Sequence, residues 1–123
     1  MTTRPATRCK ACDYSAFPFS FATNLCPMPL IRPSRDTDIA TITAIYAHHV
    51  LHGTGTFETT PPTEAEMATR RADVLSKGLP YLVVEHAGDV VGFAYGNWFK
   101  PRPAYRFSAE DSIYLAPGSA GMG

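Results

Sequence analysis

The stretch YLVVEHAGDVVGFAY, residues 81–95, decides the fold of this 123-residue chain. Its two ends, 81–85 and 90–95, are rich in β-branched and aromatic residues, a composition typical of β-strands. Between them, His86-Ala87-Gly88-Asp89 predicts a turn. The stretch therefore predicts a β-hairpin, against which the other elements of the chain must pack.

Two amphipathic helices are predicted upstream of this hairpin. Apolar residues recur at helical spacing over 35–51, with Ser34 as the expected N-cap and Gly53 free to end the helix in a left-handed conformation. The sequence TEAE at 63–66 is a capping box and predicts a second helix over about 63–77. Each helix carries an apolar face that must be buried against another element.

Two further strands complete the predicted set of elements. The apolar run LIR at 30–32 precedes the helices, and residues 111–116 follow a loop, 100–103, that its prolines hold extended. The order strand, helix, helix, strand, strand, strand predicts the α/β or α+β class, with a mixed sheet and helices packed on it. Residues 1–28 show no sustained period, which indicates an irregular extension or upstream sequence translated from a misplaced start.

Composition and charge favour a small molecule as the partner. Lys+Arg and Asp+Glu both number 11, so the formal net charge is zero. A surface that binds duplex nucleic acid normally has a basic excess. No window approaches the roughly 20 apolar residues that span a bilayer, and polar residues and prolines interrupt the apolar stretch 17–30. Neither a nucleic-acid nor a membrane partner is expected, and cytoplasm is the default location.

Cysteine and histidine spacing raises the possibility of a metal site. Cys9 and Cys12 have the C-x-x-C spacing, but Cys26 supplies only a third ligand where a closed zinc site needs four. His48 and His52 are spaced i, i+4 without the glutamate of a zinc-protease motif between them. The sequence therefore predicts no bound metal.

The final strand runs into a glycine-rich end. Gly121-Met122-Gly123 follows it at the point where a helix should begin, and backbone N–H groups in such a loop can cradle a phosphate. Glycine pairs near a chain end are also typical of loose tails. The pattern alone leaves both interpretations open.

Several stretches in order resemble one family, the GNAT superfamily of N-acetyltransferases, and within it the phosphinothricin and methionine sulfoximine acetyltransferases. The resemblance covers about residues 30–123. The matching stretches are IYAHHVLH at 45–52, TFET at 56–59, GLPYLVVE at 78–85, GFAY at 92–95, RPAYRF at 102–107 and EDSIYLAP at 110–117.

The resemblance implies a fold and an activity. Residues 29–123 would be the N-terminal half of a GNAT acyl-CoA N-acyltransferase fold, moving an acetyl group from acetyl-CoA to the amine of a small, amino-acid-like acceptor such as phosphinothricin. Relatives of this kind are often dimers, so a homodimer is compatible with it. The alternative is an inactive fragment or a binding module without catalysis.

The family's phosphate loop, Gln/Arg-x-x-Gly-x-Gly/Ala, is matched only in part. Its first position falls on Ala120 and its first required glycine on Gly123. The resemblance therefore implies a C-terminal truncation within the loop that binds the acetyl-CoA pyrophosphate. An isolated polypeptide of this kind is expected to be unstable or misassembled, with little transferase activity, because a strand edge would be open.

Particular site residues also follow from the resemblance. Glu110 would be the catalytic base, although from the residues alone it would be a solvated loop acid. The cofactor would be bound by Ile113, Tyr114 and Leu115, mainly through main-chain groups, and by the loop Ala120, Gly121, Met122 and Gly123.

The resemblance places the acceptor against another loop. Substrate-contact positions fall on Pro103, Ala104, Tyr105 and Arg106, and Arg106 or Arg102 would bind the acceptor's carboxylate or phosphinate. A surface arginine with a free side chain is the alternative for either residue. Phe57 would wall the same pocket, or would be a buried core aromatic.

Overall fold

The computed structural model describes residues 27–121, and the cysteines together with Met122 and Gly123 lie outside this range. The predicted order of strands and helices is confirmed. The strands are β1 (Leu30–Pro33), β2 (Tyr81–His86), β3 (Asp89–Trp98) and β4 (Ala109–Leu115), and the α-helices are α1 (Ile39–His52) and α2 (Glu64–Ser76). Two single-turn 3₁₀ helices lie at Asp36–Asp38 and Pro103–Tyr105.

The four strands form one sheet in the order β1-β2-β3-β4, and all three pairings are antiparallel. The mixed sheet that the sequence predicted is therefore not found among residues 27–121. The physical reason lies in the connections. Two helices that pack against each other, α1 and α2, connect β1 to β2. Because the chain reverses its direction at each step, β2 runs opposite to β1. Hairpin connections then reverse the chain twice more.

The predicted hairpin is confirmed, with a tighter turn than expected. His86 pairs with Asp89, so the loop has only Ala87 and Gly88, whose φ angles are 53° and 87°. Positive φ at both loop residues gives a twist that matches the twist of the flanking strands. Nearer the middle, the pairing shifts by one residue, which leaves Val91 as the extra residue of a β-bulge.

The start of α1 differs from the prediction. The Ser34 side chain does not cap the helix; its Oγ accepts a hydrogen bond from Arg71 Nε at 2.7 Å. Instead, the Asp38 carboxylate accepts from the Arg35 N–H at 2.7 Å and closes the 3₁₀ turn that leads into the helix. The predicted cap was wrong because a distant arginine competes for the serine hydroxyl.

The end of α1 is at the predicted glycine, for another reason than the expected one. Gly53 has a φ of −102°, which is not the left-handed conformation. A side chain at this position would place its Cβ 2.8 Å from the carbonyl oxygen of His49, closer than such atoms approach. Glycine is needed here because the backbone passes close to the helix end.

The capping box of α2 is confirmed. The Thr63 N–H donates to Glu66 Oε2 at 2.6 Å, and the Glu66 N–H donates to Thr63 Oγ1 at 3.3 Å. Both α-helices cover one face of the sheet, and Met67 and Val74 bury the apolar side of α2. Neither helix of the described range has the length and apolarity needed to cross a membrane.

The two faces of the sheet differ in their surroundings. Val83, Phe93 and Tyr114 lie opposite one another on the helix-covered face and are nearly inaccessible. The alternate residues form the other face, which is mainly apolar. Ile31 and Ile113 on that face are 69% and 66% exposed, since no other element of residues 27–121 packs over them.

The Arg32–Asp38 ion pair is expected to make stability depend on pH. Arg32 donates to both carboxylate oxygens of Asp38, at 2.8 and 3.0 Å, and these bonds hold the pKa of Asp38 below its ordinary value of 3.8. Because the folded-state pKa is the lower one, this stabilisation is complete above the unfolded-state value and is lost as the pH falls through the folded-state value.

Asp38→Asn should therefore lower the midpoint of urea unfolding at pH 7. The difference from the unmodified chain should shrink once the pH falls below about 3.8. Urea titrations at about pH 7, 5 and 3 would measure this difference, because these values lie on both sides of the transition. Asp36→Asn is the matched control, because the Asp36 side chain is 97% exposed and its ion pair with Arg71 at 2.7 Å should contribute little to stability. An equal difference at every pH would contradict the expectation.

Candidate functional site

Glu110 lies within β4, not in a loop before it as the sequence predicted. It pairs with Asn97 of β3, and β4 begins two residues earlier than expected because the pairing with β3 extends to Trp98. Directly opposed residues of an antiparallel pair point to the same face. The exposed Glu110 side chain is therefore on the face that the helices cover, as are Asn97 and Tyr114.

A cleft of about 130 Å³ opens on this face beside Asn97. Its lining comes from both α-helices and from β2 and β3, and combines aromatic, apolar and charged side chains. The lining residues are Tyr46, Met67, Arg70, Asp73, Val74, Tyr81, Tyr95 and Asn97. Glu110 is not itself part of this lining, but its cross-strand neighbour Asn97 is.

A hydrogen-bonded network fixes the loop between α1 and α2 at the cleft. The Tyr46 hydroxyl lies 3.1 Å from Thr56 Oγ1 and donates to Glu58 Oε1 at 3.0 Å, and Arg70 Nη1 donates to the same carboxylate at 2.7 Å. The bond from Arg70 lowers the pKa of Glu58, and burial raises the pKa of Tyr46. Glu58 is therefore held as an anion between a tyrosine and an arginine.

Phe57 projects from this loop and is fully exposed. The interpretation of Phe57 as a buried core aromatic was wrong, because Thr56 and Glu58 turn inward and leave the residue between them outside. Phe57 is not part of the lining of the cleft.

The outer edge of β4 has no neighbouring strand within residues 27–121. On the β3 side, the Ser108 carbonyl accepts from the Phe99 N–H at 3.1 Å, and the Ala116 N–H donates to the Val91 carbonyl at 2.8 Å; Ser108 and Ala116 flank β4. Backbone groups alternate between the two sides of a strand. The N–H and C=O groups of Ile113 and Leu115 therefore point to the free edge, whereas those of Tyr114 face β3.

The side chain of Tyr114 is buried under α1. Its ring meets that of Tyr46 edge-on, with centroids 5.1 Å apart, and stacks on Phe93 at 5.2 Å. Burial raises the pKa of Tyr114 to about 12. The ring packs in the core, and its hydroxyl is neutral at physiological pH.

Beyond β4 the chain turns sharply. The Ser119 N–H donates to the Ala116 carbonyl at 3.0 Å, and Gly118 and Gly121 have φ angles of 79° and 81°. Glycine adopts these angles without strain. Ala120 and Gly121 are exposed at this end of the sheet.

The loop between β3 and β4 contains a 3₁₀ turn at Pro103–Tyr105, where the sequence predicted an extended segment. Arg102 has an extended conformation, since it precedes a proline. Pro103 and Ala104 are exposed, and the Tyr105 ring packs edge-on against Phe99 with centroids 5.4 Å apart. The turn forms because backbone bonds satisfy the loop locally.

The two arginines of this loop differ in their contacts. Arg106 Nη1 donates to the Pro103 carbonyl at 3.0 Å, and its guanidinium lies 4.6 Å from the Phe107 ring centroid. Arg102 is exposed beside the 3₁₀ turn. Both lie at the end of the sheet where β4 begins, near Glu110.

Histidines 48 and 52 lie side by side, with ring centroids 5.0 Å apart. No three side chains of the types His, Cys, Asp and Glu come together as a metal site anywhere in the described part of the chain. The C-x-x-C pair falls outside the described residues.

One contact near the site was missed by sequence analysis. His49 Nε2 lies 2.7 Å from the carbonyl oxygen of Leu115. The two residues are 66 positions apart, and a histidine near a helix end gives no local signal for such a partner. Similarly, the Glu58–Arg70 pair joins two elements whose contact no local pattern indicates.

The chain is similar to known proteins over about three quarters of its length. Phosphinothricin N-acetyltransferase of Alcaligenes faecalis is 54% identical over 93 residues, which cover 76% of this chain and 47% of that protein. L-methionine sulfoximine/L-methionine sulfone acetyltransferase of Salmonella typhimurium is 37% identical, covering 76% of this chain and 54% of that protein. No family model matches.

The solved structures agree with these relatives. A GNAT superfamily phosphinothricin acetyltransferase from Sinorhizobium meliloti, in complex with AcCoA, is 45% identical with a TM-score of 0.73, and the match covers 76% of this chain and 51% of that one. The chain thus spans about half the length of the relatives that it matches.

An antiparallel sheet with two helices on one face and an open β4 edge is the N-terminal half of the GNAT N-acetyltransferase fold. The predicted superfamily and fold class are confirmed. Within that class, the chain is a homologue of the phosphinothricin N-acetyltransferases.

Proposed function

We propose that this chain belongs to an N-acetyltransferase, which moves an acetyl group from acetyl-CoA to the amine of a small, amino-acid-like acceptor. The chain would contribute the loop that binds the acceptor and the strand that binds acetyl-CoA. The observation that supports this most is the arrangement along β4. Glu110 lies on the same face of the sheet as the cleft, opposite the lining residue Asn97, and the main-chain groups of Ile113 and Leu115 point to the free edge of the strand.

The free edge is suited to acetyl-CoA. The pantetheine arm contains amide groups, which can pair with an unpaired strand edge as another strand would. Ile113 offers its N–H and C=O groups in that direction and Leu115 offers its N–H, while Tyr114 holds the strand in place through its buried ring. A main-chain N–H at this edge would also stabilise the oxyanion of the tetrahedral intermediate.

The turn after β4 would bind the pyrophosphate. In the sequence, Ala120, Gly121, Met122 and Gly123 follow this strand and include two glycines, which allow a phosphate to approach backbone N–H groups closely. The positive φ of Gly121 is of the kind found in such anion-binding loops.

Glu110 would act as the general base. The acceptor nitrogen attacks the thioester carbonyl carbon only when its lone pair is free, so its proton must pass to a base. Glu110 accepts that proton, directly or through a water molecule. The new C–N bond forms, the C–S bond breaks, and the CoA thiolate leaves and takes up a proton from solvent or an acid.

The loop at the start of β4 would hold the acceptor. Pro103, Ala104 and Tyr105 form its rigid turn, and Arg102 or Arg106 binds the acceptor's carboxylate or phosphinate. Arg106 donates one N–H to the Pro103 carbonyl. Because a guanidinium has five N–H groups, the others can bind the acceptor. Phe57 would contribute an exposed aromatic wall.

The proposed partner is a small molecule, with cytoplasm as the location. A net charge of zero favours neither nucleic acid nor an anionic membrane surface. No metal is part of the proposed chemistry, because the acid-base step and the oxyanion contact use protein groups.

Calorimetry of the 123-residue chain with acetyl-CoA tests the proposal, with mass spectrometry to detect N-acetylated phosphinothricin. Binding of acetyl-CoA together with acetyl transfer, in this chain or after joining it to the remaining part of a relative, supports the proposed function. Binding without transfer in either form would indicate a binding module. Absence of binding in both forms would contradict the proposal.

A further inference from the structure

A side chain of α1 reaches the free edge of β4. His49 Nε2 lies 2.7 Å from the carbonyl oxygen of Leu115, the last residue of the strand. Because a carbonyl only accepts hydrogen bonds, the proton is on Nε2 and the imidazole donates it. The bond lies on the side of the strand where no other strand of the described range pairs with it.

The imidazole is held in this position by its neighbours. Its ring packs against Tyr114, with centroids 5.4 Å apart, and the Tyr114 ring is itself wedged against Tyr46. Gly53 lies directly beside the same residue, since a Cβ there would be at van der Waals distance, 3.4 Å, from His49 Nδ1. The donor is therefore fixed by packing as well as by its acceptor.

The end of β4 is consequently bound on both sides. On the inner side, the Ala116 N–H donates to the Val91 carbonyl at 2.8 Å. On the outer side, the His49 imidazole donates to the Leu115 carbonyl, as the N–H of a neighbouring strand would. A strand end with one neighbour has few restraints on its main-chain orientation, and a second hydrogen bond at the outer edge supplies one.

We propose that His49 is a positioning residue for acetyl-CoA. By fixing the Leu115 carbonyl, it orients the outward N–H of the same residue and the edge groups of Ile113 towards the pantetheine arm. The same hydrogen bond occupies the Leu115 carbonyl oxygen, so that the ligand pairs with the other main-chain groups of the edge. This inference rests on the proposed function, in which this edge binds acetyl-CoA.

The experiment compares three variants of the full chain. His49→Phe keeps a ring against Tyr114 but has no donor, and His49→Gln places an amide N–H near the position of Nε2. His48→Phe is the matched control, because His48 is the preceding, also half-buried residue, and phenylalanine keeps a ring against His49, whose centroid lies 5.7 Å from that of His48. Calorimetry measures the Kd for acetyl-CoA, and amide hydrogen exchange without ligand measures the mobility of residues 113–116.

His49→Phe should weaken acetyl-CoA binding by about tenfold and speed exchange at 113–116 by a similar factor, the effect of losing one hydrogen bond. His49→Gln should restore most of both, and His48→Phe should change neither. A general loss of packing would not be rescued by glutamine.

The two claims fail in different ways. Equal exchange and equal affinity in His49→Phe and the unmodified chain would overturn the role of His49. If His49→Phe speeds exchange but the unmodified chain and its fusion to a relative bind no acetyl-CoA, the proposed function fails, and with it the role of His49 in binding that ligand.

Discussion

Glu110→Gln is expected to lower kcat/KM for the acceptor amine by at least about 100-fold, because a positioned general base contributes about 10²–10⁴-fold to such a reaction. The assay protein joins residues 27–121 of this chain to the part of the Sinorhizobium meliloti phosphinothricin acetyltransferase that this chain does not span. The glutamine has the size of the glutamate but cannot accept the amine's proton. Acetyl-CoA affinity should stay the same, since Glu110 lies away from the proposed edge contacts.

Asp111→Asn is the matched control for this prediction. Asp111 is the next residue of β4, is also an exposed acid, and pairs with Gly96 on the opposite face of the sheet. It should retain nearly full activity, because its carboxylate points away from the cleft. Equal losses in both variants would indicate a general effect of charge, and unchanged activity in Glu110→Gln would exclude Glu110 as the base.

Phe93→Ala is expected to lower the free energy of unfolding by about 4 kcal/mol, the usual cost of truncating a buried aromatic side chain. The Phe93 ring is 1% exposed and stacks on Tyr81, Tyr95 and Tyr114, with centroids 6.0, 6.3 and 5.2 Å apart. Its loss would leave a cavity between the helices and the sheet. Since small domains have only about 5–15 kcal/mol of stability, this one change should remove much of it.

Urea unfolding monitored by circular dichroism measures this effect. Phe107→Ala is the control, because the same chemical change at a side chain that is 85% exposed should alter the free energy of unfolding by less than about 0.5 kcal/mol. A loss of less than about 1 kcal/mol in Phe93→Ala would contradict the packing described here.

The features that the sequence predicted correctly are local ones. The hairpin over 81–95 has its strand composition and turn within a few residues of each other. The Thr63–Glu66 capping box is likewise complete within four residues. In both cases the interacting groups are close in sequence, so that a short window contains the whole cause of the structure.

The predictions that were wrong depended on distant partners. Ser34 was expected to cap α1, but Arg71, 37 positions away, binds its hydroxyl. The contact of His49 with Leu115 and the composition of the cleft likewise join elements that are far apart in sequence. Glu110 was placed in a loop because the length of β4 depends on its pairing with β3, which no property of its own sequence indicates.

The candidate site was predicted in large part through the family resemblance. The residues of β4 and of the loop before it were named by matching positions, and the structure adds which of their groups are available. Ile113 and Leu115 face the free edge with their main chains, whereas Tyr114 faces β3 and serves the core. This alternation requires the register of the sheet, which a single sequence does not give.

The most direct test of the central claim is the affinity of Ile113→Pro for acetyl-CoA, measured by calorimetry. Proline removes the outward N–H of the free edge and is tolerated there, because no hydrogen bond to β3 is lost. Asp111→Pro, which removes an outward N–H outside the proposed contact, is the control. If the edge of β4 binds the thioester arm, Ile113→Pro should bind acetyl-CoA at least about tenfold more weakly while Asp111→Pro binds it normally. A folded Ile113→Pro variant with unchanged affinity would contradict the account.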